Sequence, residues 1–396
     1  MIYLDNAATT PMEPQVIDVV QESMRRDFAN SGTVYSLGLD AKGRIEQAEE
    51  QIRHSLAVPK NFKIIFTSGG SESNNLFIKG YCHSGRKAAF LGLEHPSVTR
   101  TLDALAEAGN EPVSLLPFQK GGRLDFNCLD RLKELKVRLL CLSHVNNELG
   151  TVHDPVEVIQ ALQSHSPQTR LFMDGVQAVG KLKVSPKMWN GLAGYSISGH
   201  KINGPKGIGL LIVDEKVQLY PQIHGGRQQH GLRSGTLPVP LIVGLAKAVQ
   251  LASERTEDIL RNNQTLFRHL VEGLQGLSKR LPDLDLRFNS STSDDLREQC
   301  PSILNFRFAP VEGEVVLHHL EEKGIYVGLG SACSAHSKEP SKILTGIGLT
   351  PEEARCSLRV SFGPQTTVSD VDAFLEGFSE AYASLFSTFN SKAATQ

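Results

Sequence analysis

The first half of the chain repeats one pattern, in which a short apolar run is followed by a polar turn and then by a helical segment. The runs occupy residues 63–68, 88–93, 137–143 and 170–173. Their apolar residues are continuous and do not alternate with polar ones, which is typical of strands that are covered on both faces. The pattern therefore predicts an α/β fold, in which a large domain holds a mostly parallel sheet covered by helices.

The second half of the chain predicts a smaller α+β domain. Residues 238–281 have the pattern of one long or broken helix, and shorter strand and helix patterns follow. A chain of 396 residues is expected to form more than one domain. We expect the large domain to span residues 14–259 and the small C-terminal domain to span residues 260–396. The N-terminal segment, residues 1–13, is expected to pack with the small domain.

Charge and composition exclude several classes of function. Lys and Arg total 41 and Asp and Glu total 43, so the net charge of −2 gives no electrostatic reason to expect nucleic acid or a membrane as a partner. No apolar run is as long as a membrane span, and the first residues lack a targeting pattern, so a cytoplasmic location is expected. The 6 cysteines form no C-x-x-C pair, so neither a disulfide framework nor a metal site is expected.

Lys201 stands between a strand of small residues, 193–198, and an apolar strand, 208–213. Lysine is uncommon beside buried strands, because its ammonium group loses hydration there. Burial and nearby cations would lower its pKa, and the neutral amine could then form a Schiff base with an aldehyde. The alternative is a turn lysine whose amine extends into solvent. Ser198 and His200 beside it are candidate ligands for an anion.

Other polar residues also follow predicted strands. His95, Asn147, Asp174 and Gln177 each come shortly after an apolar run. In parallel sheets ligands bind outside the carboxyl ends of the strands, so these side chains are expected at one site. The alternatives stay open for two of them, since Asp174 is also suited to capping the next turn and His95 to a structural role.

The turn that contains Gly70 and Ser71 opens a helix directly after a strand. Backbone N–H groups at a helix N-terminus bind anions, although Ser71 or Ser73 acting as a simple N-cap is an alternative. A phosphate site, an aldehyde-reactive Lys201 and a carboxylate from Asp174 for a protonated ring nitrogen together describe pyridoxal 5′-phosphate.

These residues belong to longer motifs through which the chain resembles the cysteine desulfurases of the NifS/IscS type. That group lies within the class V aminotransferase branch of the fold-type I pyridoxal-phosphate enzymes. The motifs follow family order along the whole chain and include Tyr3-Leu-Asp-Asn-Ala-Ala-Thr-Thr-Pro11, Phe66-Thr-Ser-Gly-Gly-Ser-Glu-Ser-Asn-Asn75, His144-Val-Asn-Asn-Glu-Leu-Gly150, Ser198-Gly-His-Lys201, Arg233-Ser-Gly-Thr-Leu-Pro238 and Gly330-Ser-Ala-Cys333. Residues 29–35 depart from the family's usual pattern near the active-site entrance.

The resemblance implies a role for each candidate residue. Lys201 would hold the cofactor and move protons, Asp174 would pair with the pyridine nitrogen, His95 would stack on the ring and Gln177 would contact the ring oxygen. Phosphate binding would involve Gly70, Ser71, Ser198, His200 and, from the partner subunit of a homodimer, Thr236. Asn147 and Arg359 would hold the substrate carboxylate, with Asn147 also next to the cofactor.

Cys333 is implied to be the sulfur acceptor. As a thiolate it would take sulfur from L-cysteine, release L-alanine and carry a persulfide to an acceptor protein, either an iron–sulfur scaffold or a sulfur carrier. Its small and polar flanking residues suit an exposed loop.

The sequence leaves three alternative functions open. A selenocysteine lyase of the same branch would act on selenocysteine and ignore cysteine. An aminotransferase would consume a 2-oxo acid and would not need Cys333. A catalytically idle scaffold would bind no pyridoxal phosphate.

Overall fold

The computed structural model describes residues 1–115, 121–330 and 339–393, with side chains to residue 387. Its strands are β1 (Ile2–Tyr3), β2 (Phe62–Thr67), β3 (Ala88–Leu91), β4 (Val113–Leu115), β5 (Leu139–Ser143), β6 (Arg170–Asp174), β7 (Leu192–Ser198), β8 (Gly209–Asp214), β9 (Asp285–Phe288), β10 (Ile303–Ala309), β11 (Ile325–Tyr326) and β12 (Ser357–Ser361). Its α-helices are α1 (Pro14–Arg26), α2 (Ser36–Ser55), α3 (Gly70–Cys82), α4 (Pro96–Glu107), α5 (Asp130–Glu134), α6 (Pro155–His165), α7 (Val239–Glu254), α8 (Thr256–Arg280), α9 (Gly313–Glu322), α10 (Lys342–Gly346), α11 (Pro351–Arg355) and α12 (Val368–Ala393).

The central sheet has seven strands in the order β2-β8-β7-β6-β5-β3-β4. Strand β8 is antiparallel to both of its neighbours, and all the other adjacent pairs are parallel. Successive residues of β5 belong to different apolar cores, because Leu140 and Leu142 pack on one face of the sheet and Leu139 and Cys141 on the other. Coverage on both faces explains the continuous apolar runs, and the predicted α/β class with a mostly parallel sheet is confirmed.

Two helical segments can be compared with the sequence pattern. The spacing of Ile45, Ala48 and Ile52 predicts a helix that starts at residue 40, whereas α2 begins one turn earlier, at Ser36. Gly38 makes this first turn possible, because a Cβ atom there would lie 2.6 Å from the carbonyl oxygen of Thr33. The segment 238–281, which was predicted to be one long or broken helix, is the broken form and consists of two helices, α7 and α8, which are separated at Arg255. Within the described ranges no helix has both the length and the apolar composition needed to cross a bilayer.

A second core lies around an antiparallel sheet of order β12-β10-β9 and helices α8, α9 and α12. The N-terminal segment joins it, since β1 pairs in parallel with β11 and Leu4 is buried in this core. Ile343, Leu344 and Ala354 pack instead with the core of the large sheet, although they lie late in the chain. The domain boundaries at residues 13 and 259 stay predictions.

Phe378 of α12 is central to the second core. Its ring is fully buried and lies 5.0 Å from that of Phe308 and 5.5 Å from that of Phe306, centroid to centroid. Phe378→Ala is expected to lower the free energy of unfolding by about 3–5 kcal/mol, because it removes a buried ring and leaves a cavity. Chemical denaturation followed by circular dichroism measures this loss. Glu376→Ala, on the exposed side of the same helix, should change it by less than about 0.5 kcal/mol. A loss below about 1 kcal/mol for Phe378→Ala would contradict the central packing role of Phe378 in the second core.

Candidate active site

The carboxyl ends of β3, β5, β6 and β7 lie at one edge of the sheet, and the residues that follow them line a cavity of about 260 Å³. We call it the strand-end cavity. Most residues singled out from the sequence contribute to its wall: Gly70, Ser71, His95, Asn147, Asp174, Gln177, Ser198, His200, Lys201 and Arg359. The expectation that these side chains meet at one site is met by the geometry.

Lys201 ends the short 3₁₀ turn that follows β7. Its Nζ donates hydrogen bonds to the carbonyl oxygens of Ala7 at 2.5 Å and Ala8 at 2.6 Å. Burial lowers the pKa of Lys201 to about 7, and the positive charges of Lys181 and Arg359 contribute to the shift. A substantial fraction of the amine is therefore neutral near pH 7, and a neutral amine can attack a carbonyl carbon. These backbone contacts argue against a turn lysine that extends into solvent.

The carboxylate of Asp174 is held at both oxygens at the end of β6. Oδ2 accepts a hydrogen bond from Asn74 Nδ2 at 2.8 Å, and Oδ1 accepts one from the backbone N–H of Val176 at 3.0 Å. Asn74 Oδ1 in turn accepts from the Ser196 hydroxyl at 2.7 Å, which fixes the orientation of the amide. Asp174 thus caps the following turn, as the structural alternative expected, and also lines the cavity. Asn74 was not predicted as a site residue.

His95 also combines a structural contact with a place in the cavity wall. Its Nδ1 accepts a hydrogen bond from the backbone N–H of Ser97 at 3.1 Å, so that His95 caps α4. This contact places the proton of the neutral imidazole on Nε2. Burial lowers the pKa of His95, Lys201 lowers it further and Asp174 opposes the shift. The ring is therefore neutral at neutral pH.

Helix α3 begins at Gly70 with no side chain capping it. The alternative in which Ser71 or Ser73 is the N-cap is wrong, because the residue at that position is Gly69 and the Ser73 hydroxyl bonds to that of Thr67 at 2.8 Å. The first N–H groups of the helix and its dipole therefore stay available for an anion.

An open depression next to the strand-end cavity shares Gly70, Ser71, Ser198 and His200 with it. A Cβ atom on Gly70 would lie 2.6 Å from Cγ2 of Val176, so a larger residue would not fit there. Burial, followed by the charge of Lys201, lowers the pKa of His200 to about 4, and the imidazole is neutral at pH 7. The shared wall offers neutral donors of the kind that bind phosphate.

Arg359 is 2% exposed, so its guanidinium group lies in the protein interior. It lies on β12, where Nη2 pairs with Asp5 Oδ1 at 2.7 Å and Nη1 donates to the carbonyl oxygen of Asn147 at 2.8 Å. Its Nε is buried and has no partner among the described residues. A guanidinium group in a cavity wall is suited to binding a carboxylate. Asp5, which holds it, was not predicted.

Gln177 is held between the N-terminal segment and a second buried lysine. Its Nε2 donates to the carbonyl oxygen of Ala7 at 2.8 Å, and its Oε1 accepts a hydrogen bond from Nζ of Lys181. Burial lowers the pKa of Lys181 to about 8. Lys181 was not predicted as a site residue, and the one signal for it in the sequence is a charged residue among small and apolar ones.

Three of the predictions are not tested by this cavity. Thr236 is exposed and lines neither the strand-end cavity nor the adjacent depression of its own chain. Cys333 lies outside the described residues, and residues 29–35 are absent from the cavity wall of the single chain. The individual roles of all the site residues likewise stay predictions.

The cysteines within the described ranges are free, and burial raises the pKa of each of their thiols, for example to about 12 for Cys82. A raised pKa makes a thiol a poor nucleophile. In the part of the chain that the structure describes, no group of three or more His, Cys, Asp or Glu residues is arranged to hold a metal ion.

Comparison with known proteins shows the family. The model of the family described as aminotransferase class-V matches residues 2–374. The protein named cysteine desulfurase IscS from Dictyoglomus turgidum is 34% identical over 381 residues, which are 95% of this chain and 93% of the relative. A solved structure named NifS-like protein has a TM-score of 0.86 at 28% identity and covers 96% of this chain and 99% of its own. The structure named SspA in complex with cysteine has a TM-score of 0.74 at 30% identity, over 93% of this chain and 100% of its own. This chain therefore belongs to the aminotransferase class-V family.

Proposed function

We propose that the protein is a cysteine desulfurase that depends on pyridoxal 5′-phosphate and converts L-cysteine into L-alanine while Cys333 takes up the sulfur. The observation that carries the proposal is the meeting of Lys201, Asp174 and the N-terminus of α3 at one cavity. The similarity to proteins named cysteine desulfurase, and to a protein solved with cysteine, supports the choice of substrate.

The side chains of the strand-end cavity fit pyridoxal phosphate by their chemistry. Asp174 offers a carboxylate to a protonated ring nitrogen, and Lys201 offers an amine to the aldehyde. The uncapped first turn of α3, at Gly70 and Ser71, offers N–H groups to the phosphate. His95 offers a flat neutral ring, and Gln177 offers an amide. When bound, the cofactor supplies an electron sink for negative charge on the carbon atoms of the substrate.

The residues of this chain are proposed to supply two further functions, which are substrate binding and proton transfer. Arg359, with its Nε buried and unpartnered, would bind the substrate carboxylate together with Asn147. With a pKa of about 7, Lys201 can accept a proton from one substrate carbon and donate it to another at neutral pH. Its position in the cavity wall, next to Asn147 and Arg359, supports both of these proposed steps.

Sulfur transfer requires a thiolate, which we assign to Cys333. The thiolate attacks the sulfur of L-cysteine and a sulfur–sulfur bond forms. The carbon–sulfur bond then breaks, its electron pair remains on carbon, and a proton completes L-alanine. The persulfide on Cys333 is passed to an acceptor protein, either an iron–sulfur scaffold or a sulfur carrier.

We further propose that the active unit is a homodimer. Thr236 is exposed and lies outside the cavity of its own chain, so it is available to complete the phosphate site of a second copy. A cytoplasmic location remains a prediction from the sequence.

Turnover of L-cysteine in the presence of dithiothreitol tests the function directly. Equal amounts of alanine and sulfide are expected, and Cys333→Ala should lower sulfide release by at least about 100-fold, because the attacking thiolate is lost. Cofactor absorbance should be unchanged in this variant. Cys128→Ala is the matched control, since burial raises the pKa of that thiol and it lies outside the strand-end cavity.

Other outcomes of this assay would favour one of the alternative functions. Turnover of selenocysteine without turnover of cysteine would indicate a selenocysteine lyase. Turnover of a 2-oxo acid that Cys333→Ala leaves unchanged would indicate an aminotransferase. A protein that binds no pyridoxal phosphate would contradict the proposal entirely.

Arg359→Lys is expected to raise the KM for L-cysteine by about 10- to 100-fold with a smaller change in kcat. Lysine keeps the charge but loses the forked guanidinium geometry, and a hydrogen bond to a charged group contributes about 1.5–3 kcal/mol. Steady-state kinetics measure both constants. Arg355→Lys, at an exposed arginine on α11, is the control. A KM within twofold of the unsubstituted protein would exclude Arg359 as the carboxylate ligand.

A further inference from the structure

Lys181 is a buried cation next to the site that the proposed mechanism does not use. Its side chain is 8% exposed, and its Nζ bonds to Oε1 of Gln177. It forms no ion pair with a carboxylate in the described part of the chain. A buried charge without a counter-charge is unfavourable for folding. Its effect is therefore expected in the residues that it contacts.

Lys181 determines how the amide of Gln177 is oriented. An ammonium group can only donate hydrogen bonds, so the amide oxygen must face Lys181. The carbonyl oxygen of Ala7 can only accept, so Nε2 must face Ala7. The two neighbours therefore impose the same orientation. The second N–H of Nε2 is then the donor that Gln177 can offer to a ligand in the strand-end cavity.

Lys181 also lies close behind Lys201. Both line a smaller cavity of about 40 Å³, which we call the rear cavity. Apart from burial, Lys181 is the largest influence that lowers the pKa of Lys201. The other charged or titratable groups near Lys201 are Arg359, Asp5, Asp174, His95 and His200, and the rear cavity is also lined by Glu13 and Arg255, which pair with each other.

We propose that Lys181 is a positioning residue, which turns the N–H donor of Gln177 towards the ring oxygen of the cofactor and places a positive charge behind Lys201. The first part rests on the proposed function, because the ring oxygen belongs to pyridoxal phosphate. The second part concerns the chain alone. Neither the cofactor nor the substrate needs to touch Lys181.

The amine of Lys201 in the apoprotein reports the charge effect without any turnover. Acetylation by acetic anhydride over a pH series, read by mass spectrometry of the peptide that contains Lys201, gives the pH at which half of the amine is reactive. That midpoint is expected near the pKa of about 7 in the unsubstituted protein. Lys181→Met should raise it by about one unit, because a like charge that disfavours the ammonium form is removed.

Two further variants serve as controls. Lys183→Met, two residues away, removes an exposed lysine that pairs with Glu257 at 2.8 Å, and it should leave the midpoint unchanged. Lys181→Arg retains a cation that only donates hydrogen bonds, so it should preserve the low midpoint. If Lys181→Met does not fold, Lys181→Gln provides the same loss of charge with a donor retained.

The bound cofactor reports the orientation of Gln177. In the reconstituted protein, Lys181→Met should move the midpoint of the pH titration of the visible absorbance upwards, and Lys181→Arg should not. Midpoints that match the unsubstituted protein, both in acetylation and in absorbance, would overturn the inference. A protein that shows the acetylation shift but binds no pyridoxal phosphate would instead overturn the proposed function and leave the charge effect standing.

Discussion

Lys201→Ala is expected to reduce kcat for L-cysteine desulfuration by at least about 10³-fold, because it removes the amine that is proposed both to hold the cofactor and to move protons. The fold should persist. Among the described residues, the ammonium group of Lys201 donates hydrogen bonds only to the carbonyl oxygens of Ala7 and Ala8, and its removal relieves a partly buried charge. Production of alanine and sulfide measures the loss, and circular dichroism checks the fold.

The matched control is Lys216→Ala, which removes an exposed lysine that does not line the strand-end cavity. It should turn over cysteine at the rate of the unsubstituted protein. Desulfuration by Lys201→Ala within tenfold of that rate would show that another amine does the chemistry. Lys181 would then be the first candidate, because burial lowers its pKa to about 8.

Asp174→Asn is expected to lower kcat by about 10²- to 10³-fold while the cofactor still binds. The substitution keeps the shape of the side chain and removes the negative charge that is proposed to stabilise a protonated ring nitrogen. Without that charge the bound cofactor would be a weaker electron sink. The carboxylate accepts hydrogen bonds from Asn74 at 2.8 Å and from the N–H of Val176 at 3.0 Å, and an amide, which has a single oxygen, can keep one of these two bonds. Loss of kcat with intact visible absorbance is the expected combination.

Asp154→Asn is the control for this substitution. Asp154 caps α6 by accepting hydrogen bonds from the N–H groups of Val156 and Glu157, and it lies outside the strand-end cavity. Asparagine is also a good N-cap, so both activity and stability should change little. An unchanged kcat in Asp174→Asn would remove this carboxylate from the mechanism.

The meeting of Lys201, Asp174 and His95 at one cavity could be predicted from the sequence for a physical reason. Carboxyl ends of parallel strands meet at one edge of a sheet, so Lys201, Asp174 and His95 had to lie near one another once the strands were identified. The lowered pKa of Lys201 could also be predicted from the sequence, because a lysine between two buried strands loses hydration. Burial is the largest cause of its lowered pKa.

The supporting residues were not predictable in the same way. Asn74 is 100 positions from Asp174, and Asp5 is 354 positions from Arg359. No periodic pattern brings such pairs together, and their contacts depend on how the elements pack. The same is true of Lys181, because its neighbours in sequence indicate only that a charged residue lies among small and apolar ones.

Short edge strands were missed for a different reason. Strands β4 and β9 have 3 and 4 residues. A run of this length is too short to show the period of a strand. Their neighbours in the sheet are β3, which was predicted from the longer apolar run 88–93, and β10, which has 7 residues. Pairing with these neighbours, more than local sequence, stabilises such edges.

The most direct test of the account is to identify the lysine that holds the cofactor. Protein reconstituted with pyridoxal phosphate is reduced with borohydride, which makes the link between amine and carbonyl permanent, and the labelled peptide is identified by mass spectrometry. We predict a pyridoxyl group on Lys201 and none on Lys181, the buried lysine that lines the rear cavity together with Lys201. A label on Lys181, or no label on either lysine, would contradict the account.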